Sequence, residues 1–392
     1  MDINIYFEKY KKHIIIISLV ILIVLALAIG LLHFRPFLFV NSFNNINIYL
    51  KPINANINVV TADSSNRFML KVEVKNEFGQ PVSDVPIVFN VDNNIGIVNL
   101  KSTRTDKFGE AVVTYIPPDN IEDFINDIEV SISAKIINKF NIIFNINPED
   151  KLSKYVFKLI PVPVILVHGY QSTSEIFTNM VIYLDSFGFN TIPFNYNSMN
   201  GVILASNEFK EFLKGQAHSF YLKGIQLKRF DVVSHSMGGI ISRYYSVTKD
   251  YIEFNNIRKL IFISTPHKGS HLAPIGAKYF NDEGVKDMMP KSDLFTKLFP
   301  QMINKGLNPN IQTGNIIGQF DEVVSIESAD LQEWEIDTSI FNIGSSKFNV
   351  DNLLDGTISQ TAIHKLILNN TKVYETIVSM LTRRLTYPIK IE

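Results

Sequence analysis

The stretch Phe230-Asp231-Val232-Val233-Ser234-His235-Ser236-Met237-Gly238-Gly239-Ile240 decides how the larger part of this chain folds. Its opening residues read as a short buried strand, and from Ile240 onward the pattern is helical. The chain therefore passes from strand to helix through a turn with Ser236 at its centre, an arrangement of the nucleophile-elbow kind. Such a turn strains the backbone of its central residue and holds the serine hydroxyl out from the end of the strand. Small residues are needed two positions before and two after, because larger side chains would clash across the turn. Gly238 and Gly239 meet that need, and Ser234, standing where the pattern G-x-S-x-G has glycine, is small. A serine before a helix can be a simple cap. The strand–turn–helix setting favours a nucleophile.

Outward from this turn the chain alternates strand and helix. Val162-Pro163-Val164-Ile165-Leu166-Val167 is a continuously apolar run of the type buried on both faces of a parallel sheet. Helical stretches such as 202–213 then alternate with strands at 230–233 and 259–263, which implies βαβ units. The class is α/β with a mostly parallel sheet, expected over residues 155–392. Between 266 and 315 the pattern is irregular, as in a segment that caps a site. Within it Leu294, Phe295, Leu298, Phe299 and Met302 fall on one helical face, which suits either a mobile lid or a cap helix fixed on the core.

Upstream the period changes to two. Phe68, Leu70, Val72 and Val74 alternate with Met69, Lys71, Glu73 and Lys75, and similar runs recur to Phe140/Ile142/Phe144/Ile146. Turn signals separate them, notably 76–81, 106–109 and 117–120. This spacing predicts an all-β antiparallel sandwich over residues 54–147. Asn147-Pro148-Glu149-Asp150 reads as the linker to the α/β part.

Residues 14–32 are apolar apart from Ser18 and Gly30, and as a helix they would span about 28 Å, close to a bilayer core. Lys9, Lys11 and Lys12 precede the run and Arg35 follows it, so residues 1–13 are expected in the cytoplasm, 14–34 as a transmembrane signal anchor, and the rest outside. A cleaved signal peptide would have a shorter apolar core and a small-residue exit, whereas this one leaves through His33-Phe34-Arg35-Pro36-Phe37. A buried core helix would rarely be apolar on all faces.

Composition narrows the chemistry. Of 392 residues 46% are hydrophobic and 19% charged, and the 37 basic residues nearly cancel the 38 acidic ones. A net charge of -1 gives no pull toward nucleic acid. The absence of cysteine excludes disulfides, thiol nucleophiles, zinc–thiolate sites and iron–sulfur clusters.

Two resemblances follow from these motifs. KNEFGQPVSDVPIVFNV followed by TRTDKFGEAVVTYIP resembles bacterial immunoglobulin-like domains of the invasin/intimin type, which implies a spacer or a binding module whose ligand is unknown. DVVSHSMGG, VILVHGY and ISTPHKGS together resemble the α/β-hydrolase fold, in its bacterial lipase and esterase branch, over residues 155–392. The second resemblance implies that the backbone N–H groups of Tyr170, after His168-Gly169, and of Met237, after the nucleophile, form an oxyanion hole. Only backbone is used there, so side-chain identity at both positions should be weakly constrained.

The fold's order of serine, acid, histidine leaves three of the eight histidines after Ser236. His267 and His271 come too early to leave room for an acid strand, so His364, before a helix with Val373, Ile377 and Leu381 on one face, is the expected base. FDEVVSIESA resembles the family's acid segment and offers Asp321, with Glu322 where the family has glycine. Asp355, in an apparent insertion near 348–362, is the rival acid. Some relatives hold calcium beside the histidine. Lys365-Leu366 follow His364 here, so neither a metal nor any other cofactor is expected. The resemblance implies a membrane-anchored, extracytoplasmic serine hydrolase of carboxylic esters with a lipid or other ester substrate. An acyltransferase or peptidase with the same triad, or an inactive surface adhesion protein, stays open as an alternative.

Overall fold

The computed structural model describes residues 18–25, 46–120, 128–137, 152–343 and 363–391. Of the expected membrane segment only 18–25 is described. It is helical, with Leu19 to Leu25 each at least 52% exposed. The cytoplasmic tail, the rest of the anchor, the run Phe140–Ile146 and Asp355 lie outside the described residues. Among the described residues no helix is long and apolar enough to cross a membrane.

Two sheets packed face to face form the N-terminal body. The strands are β1 (Ile46–Pro52), β2 (Val59–Thr61), β3 (Phe68–Asn76), β4 (Pro86–Val91), β5 (Ile97–Val98), β6 (Ser102–Arg104), β7 (Glu110–Ile116), β8 (Ile128–Ile136) and β9 (Leu152–Ile160). One sheet runs β1-β3-β7-β5. The other runs β2-β9-β8-β4-β6, mostly antiparallel but with β2 parallel to β9. Alternation along β3 buries Phe68, Leu70, Val72 and Val74 and turns Met69 to solvent, as the period-two pattern dictates. Between the sheets Phe157 meets Phe68 and Tyr115 with ring centroids 5.0 and 5.1 Å apart. The sandwich extends past the expected limits of 54–147. β1 pairs with β3, and β9, expected in the α/β part from residue 155, pairs with β8 along eight positions.

The C-terminal body is built on β10 (Val164–Val167), β11 (Thr191–Phe194), β13 (Phe230–His235), β14 (Ile257–Ile263), β15 (Gln312–Gly318) and β16 (Thr338–Phe341). All are parallel, in the order β11-β10-β13-β14-β15-β16. β10, β13, β14 and β15 are buried throughout, and β10 accordingly reads as an unbroken apolar run, whereas β13, β14 and β15 also bury polar residues such as Asp231, Arg258 and Asn315. Helices Val202–Leu222 and Met237–Tyr245 share one apolar layer with the sheet. Helices Thr178–Ser186 and Thr371–Thr382 belong to the layer on the other side, with Val373, Ile377 and Leu381 buried as expected.

The two bodies are joined by more than the chain. The short strand β12 (Ile225–Gln226) of the α/β body adds to the sandwich as a parallel neighbour of β2. Asp63, fully buried, accepts from Arg229 at 2.9 and 2.5 Å. Burial acts to raise the Asp63 carboxyl, but Arg229 and Ser65 outweigh it and hold the group below its ordinary value. Arg258 pairs with buried Asp231 and donates to the backbone oxygens of Ala62 and Asp119.

Candidate active site

β13 ends at His235, and the helix Met237–Tyr245 begins one residue later. Ser236 between them has φ +54 and ψ −126, a backbone strained for a non-glycine residue. Its N–H donates to the Ile263 oxygen of the neighbouring β14 at 3.0 Å. A Cβ on Gly238 would run into the carbonyl oxygens of Val167 and His168, so only glycine lets the helix start this close to β10. Ser234 departs from glycine without harm, since its Oγ lies 2.9 Å from Ser242 Oγ, which also bonds to the Gly238 oxygen.

Ser236 Oγ lies 2.9 Å from His364 Nε2, and His364 Nδ1 lies 2.8 Å from Asp321 Oδ2. An ionised carboxylate can only accept, so Nδ1 carries the proton and Nε2 is left to accept from the serine hydroxyl. The residues meet at the C-terminal edge of the sheet: Ser236 after β13, Asp321 after β15, and His364 in the short helix Ile363–Leu366. Asp321 Oδ1 accepts from the N–H groups of Val323 and Val324 at 2.9 Å each, which fixes the carboxylate plane. Burial pushes the Asp321 carboxyl up, yet His364, the Val324 N–H and Ser264 leave it below the ordinary value. Beside it, Glu322 is pushed up, first by burial and then by the Asp321 charge.

The loop after β10 crosses directly over Ser236. A Cβ on Gly169 would stand 2.9 Å from Ser236 Cβ, so glycine is what allows the approach. Tyr170 follows it, and Met237 is the first residue of its helix, so the Met237 N–H has no partner inside that helix. His168 is structural. Its ring stacks on Tyr196 at 4.3 Å and its Nδ1 bonds to the Gly169 oxygen at 2.9 Å. The Tyr170 side chain is more constrained than a backbone-only role requires. Its hydroxyl donates to Asp282 Oδ2 at 2.5 Å, and burial and this carboxylate both raise its pKa.

That bond belongs to a cap held on the core. Leu294 and Phe299 are buried, and Phe295, Leu298 and Met302 pack against the same cluster. The expected single helical face is divided between a wide turn at Leu294–Leu298 and the short helix Phe299–Gln301. Arg243, on the helix that follows Ser236, donates to the backbone oxygens of Gly306, Lys305 and His267 at 2.8, 3.0 and 3.0 Å. Its guanidinium also sits 4.2 Å over the Phe299 ring, and burial pushes its pKa down to about 9.

Sequence reasoning missed one residue at the centre. His235 is buried, its Nε2 is 2.8 Å from the His364 backbone oxygen, and burial followed by the nearness of His364 pushes it down to about 3. Its place beside Ser236 in SHS is the available signal. Among the described residues no group of acidic or histidine side chains could hold a metal ion.

Residues 186–282 match the family model described as PGAP1-like alpha/beta domain. No curated protein matches the chain. Among solved structures, the chain is similar to the mature lipase BlEst2 of Bacillus licheniformis, with 15% identity, a TM-score of 0.41, and coverage of 57% of this chain and 92% of that one. A phospholipase, PlaB of Legionella pneumophila, gives 18% identity and a TM-score of 0.36, covering 43% of this chain and 44% of that one. The D00-D0 domain of Intimin gives 18% identity and a TM-score of 0.22, covering 28% of this chain and 45% of that one. The chain thus spans less than half of the phospholipase and of the intimin fragment it matches. Likenesses this distant assign no substrate and no residue role.

Proposed function

We propose that this chain, whose C-terminal body has the α/β-hydrolase fold, is a serine hydrolase of carboxylic esters, acting on lipids from the outer side of a membrane to which its N-terminal segment anchors it. The observation that carries the reading is the chain of contacts from Ser236 Oγ through His364 to Asp321, on a serine with φ +54. Ser236 attacks the ester carbonyl while its proton passes to His364 Nε2. Asp321 keeps the opposite nitrogen protonated and stabilises the imidazolium. The N–H groups of Tyr170 and Met237 receive the oxyanion. Collapse of the tetrahedral adduct expels the alcohol with the proton from His364, and water resolves the acyl-enzyme by the same steps in reverse.

The lipid substrate class is supported by the apolar cap, where Phe295, Leu298 and Met302 are only partly buried. Anchorage is supported by the apolar run 14–32 with Lys9, Lys11 and Lys12 before it. A fluorophosphonate probe tests the enzyme reading. The purified full chain should be labelled covalently, and Ser236→Ala should not; equal labelling of both would defeat the proposal. Membrane fractions washed with carbonate should retain the chain, and protease added to spheroplasts should digest the catalytic body. A chain released by the wash, or reached only after lysis, would defeat the topology.

A further inference from the structure

We propose that the end of the sandwich farthest from the catalytic body is a lipid-contact surface, with Phe78 and Phe108 inserted at the headgroup–acyl boundary of the bilayer. This deepens the anchoring reading above and rests on it.

The sandwich has two distinct ends. At one, Asp63, Asn66 and Asp119 engage Arg229, Gln226 and Arg258 of the catalytic body. β3 runs from Phe68 at that end to Asn76 at the other, about 27 Å at the usual rise per residue. The far end carries two turns built alike: Asn76-Glu77-Phe78-Gly79 and Asp106-Lys107-Phe108-Gly109. In each, the leading Asn or Asp side chain accepts from the phenylalanine N–H, at 3.0 and 2.8 Å, and the glycine takes φ +78 or +71. The turns are neighbours, since Val74 N–H donates to the Gly109 oxygen at 2.9 Å. Each presents its phenylalanine to solvent, 79% exposed at Phe78 and 63% at Phe108. Two hydrogen-bonded turns thus display a ring each, side by side at one end of the sandwich. Ile137 and Leu152, also exposed, lie at the same end.

Where the chain enters the sandwich identifies the occupant. Ile46, the first residue of β1, pairs with Asn76, at the base of the Phe78 turn. Thirteen residues, 33–45, separate it from the apolar run ending at Leu32, and they reach at most about 45 Å when extended. This stretch includes Phe34, Phe37, Phe39 and Phe43, a residue type found on the apolar side of interfacial segments. The chain therefore joins the sandwich at the end that carries the two rings. Charges of both signs lie at this end: Arg104 pairs with Asp84, Lys75 lies 3.4 Å from Glu73, which Lys51 and Lys71 share, and Lys107 sits over the Phe108 ring. The rings rather than a basic patch carry the proposed contact, so it should be insensitive to anionic lipid.

Tryptophan placed at the tips reads the contact directly. The chain has one tryptophan, the buried Trp334, so Phe78→Trp and Phe108→Trp each add one reporter, and Ile182→Trp, on an exposed helix of the catalytic body, is the control. Full-length variants are reconstituted in zwitterionic phosphatidylcholine vesicles with and without lipid brominated near the top of the acyl chain, then floated. The added emission of both tip variants should fall at least twofold with brominated lipid, equally when anionic lipid is included, while the control is unchanged. If the chain floats but the tip variants match the control, the contact is overturned and the anchor stands; a protein partner at this end would give that result. If the chain does not float, the anchor reading fails and takes the contact with it.

Discussion

His235 and His364 lie ring against ring, their centroids 4.6 Å apart, and His235 Nε2 donates to the His364 carbonyl oxygen at 2.8 Å. A carbonyl cannot donate, so His235 holds its proton on Nε2, and burial keeps the ring neutral. The histidine beside the proposed nucleophile thus fixes the backbone of the proposed base.

His235→Phe keeps the ring and removes the donor. It should lower kcat about tenfold, near 1.4 kcal/mol of barrier, with KM little changed. Steady-state kinetics on a p-nitrophenyl ester check this, and an unchanged kcat would remove His235 from the account.

Asp321→Asn should fold normally and cut turnover by roughly 10²–10⁴-fold, because the amide no longer enforces the Nδ1–H tautomer. Asp355→Asn should change turnover less than about tenfold. The reverse pattern would move the acid to residue 355.

Gly238→Ala places a methyl group against the Val167 and His168 carbonyl oxygens, which belong to a central strand and its loop and cannot retreat. A cost above about 4 kcal/mol would lower the melting temperature by about 8–16 °C. Calorimetry on the variant decides it.

Asp63→Asn leaves Arg229 half-enclosed without its partner and should destabilise the joint between the bodies by about 3–5 kcal/mol. The wild-type contribution also has a pH signature. The folded Asp63 carboxyl lies below its ordinary 3.8, so the pair stabilises fully above about pH 4 and loses that contribution as pH falls through the folded value. Denaturant melts between pH 2 and 6 should converge for wild type and variant at the acid end. Curves that stay parallel would show that the pair does not titrate as described.

The parts legible in the sequence were those whose constraint is local. The tightness of the turn at Ser236 demands Gly238 within two residues, and unbroken apolar strands announce a parallel sheet. The limits of the sandwich are set by pairing that is distant in sequence: Asn147-Pro148-Glu149-Asp150 reads as a linker, yet Tyr155, Phe157 and Leu159 beyond it continue the period of two, and β9 pairs with β8. The Asp63–Arg229 pair spans 166 residues, and no pattern in either neighbourhood marks it. Arg243 reads as a surface charge on an amphipathic helix, and only the fold shows it enclosed by cap carbonyls. The side-chain freedom expected at Tyr170 failed for the same reason, since Asp282 is brought to it by the cap.

The most direct test of the central claim is the turnover of Ser236→Ala on a short-chain p-nitrophenyl ester, beside wild type, with matched melting temperatures. The account predicts a folded variant with kcat lower by about 10⁴-fold or more. A folded variant that turns over within tenfold of wild type would contradict it.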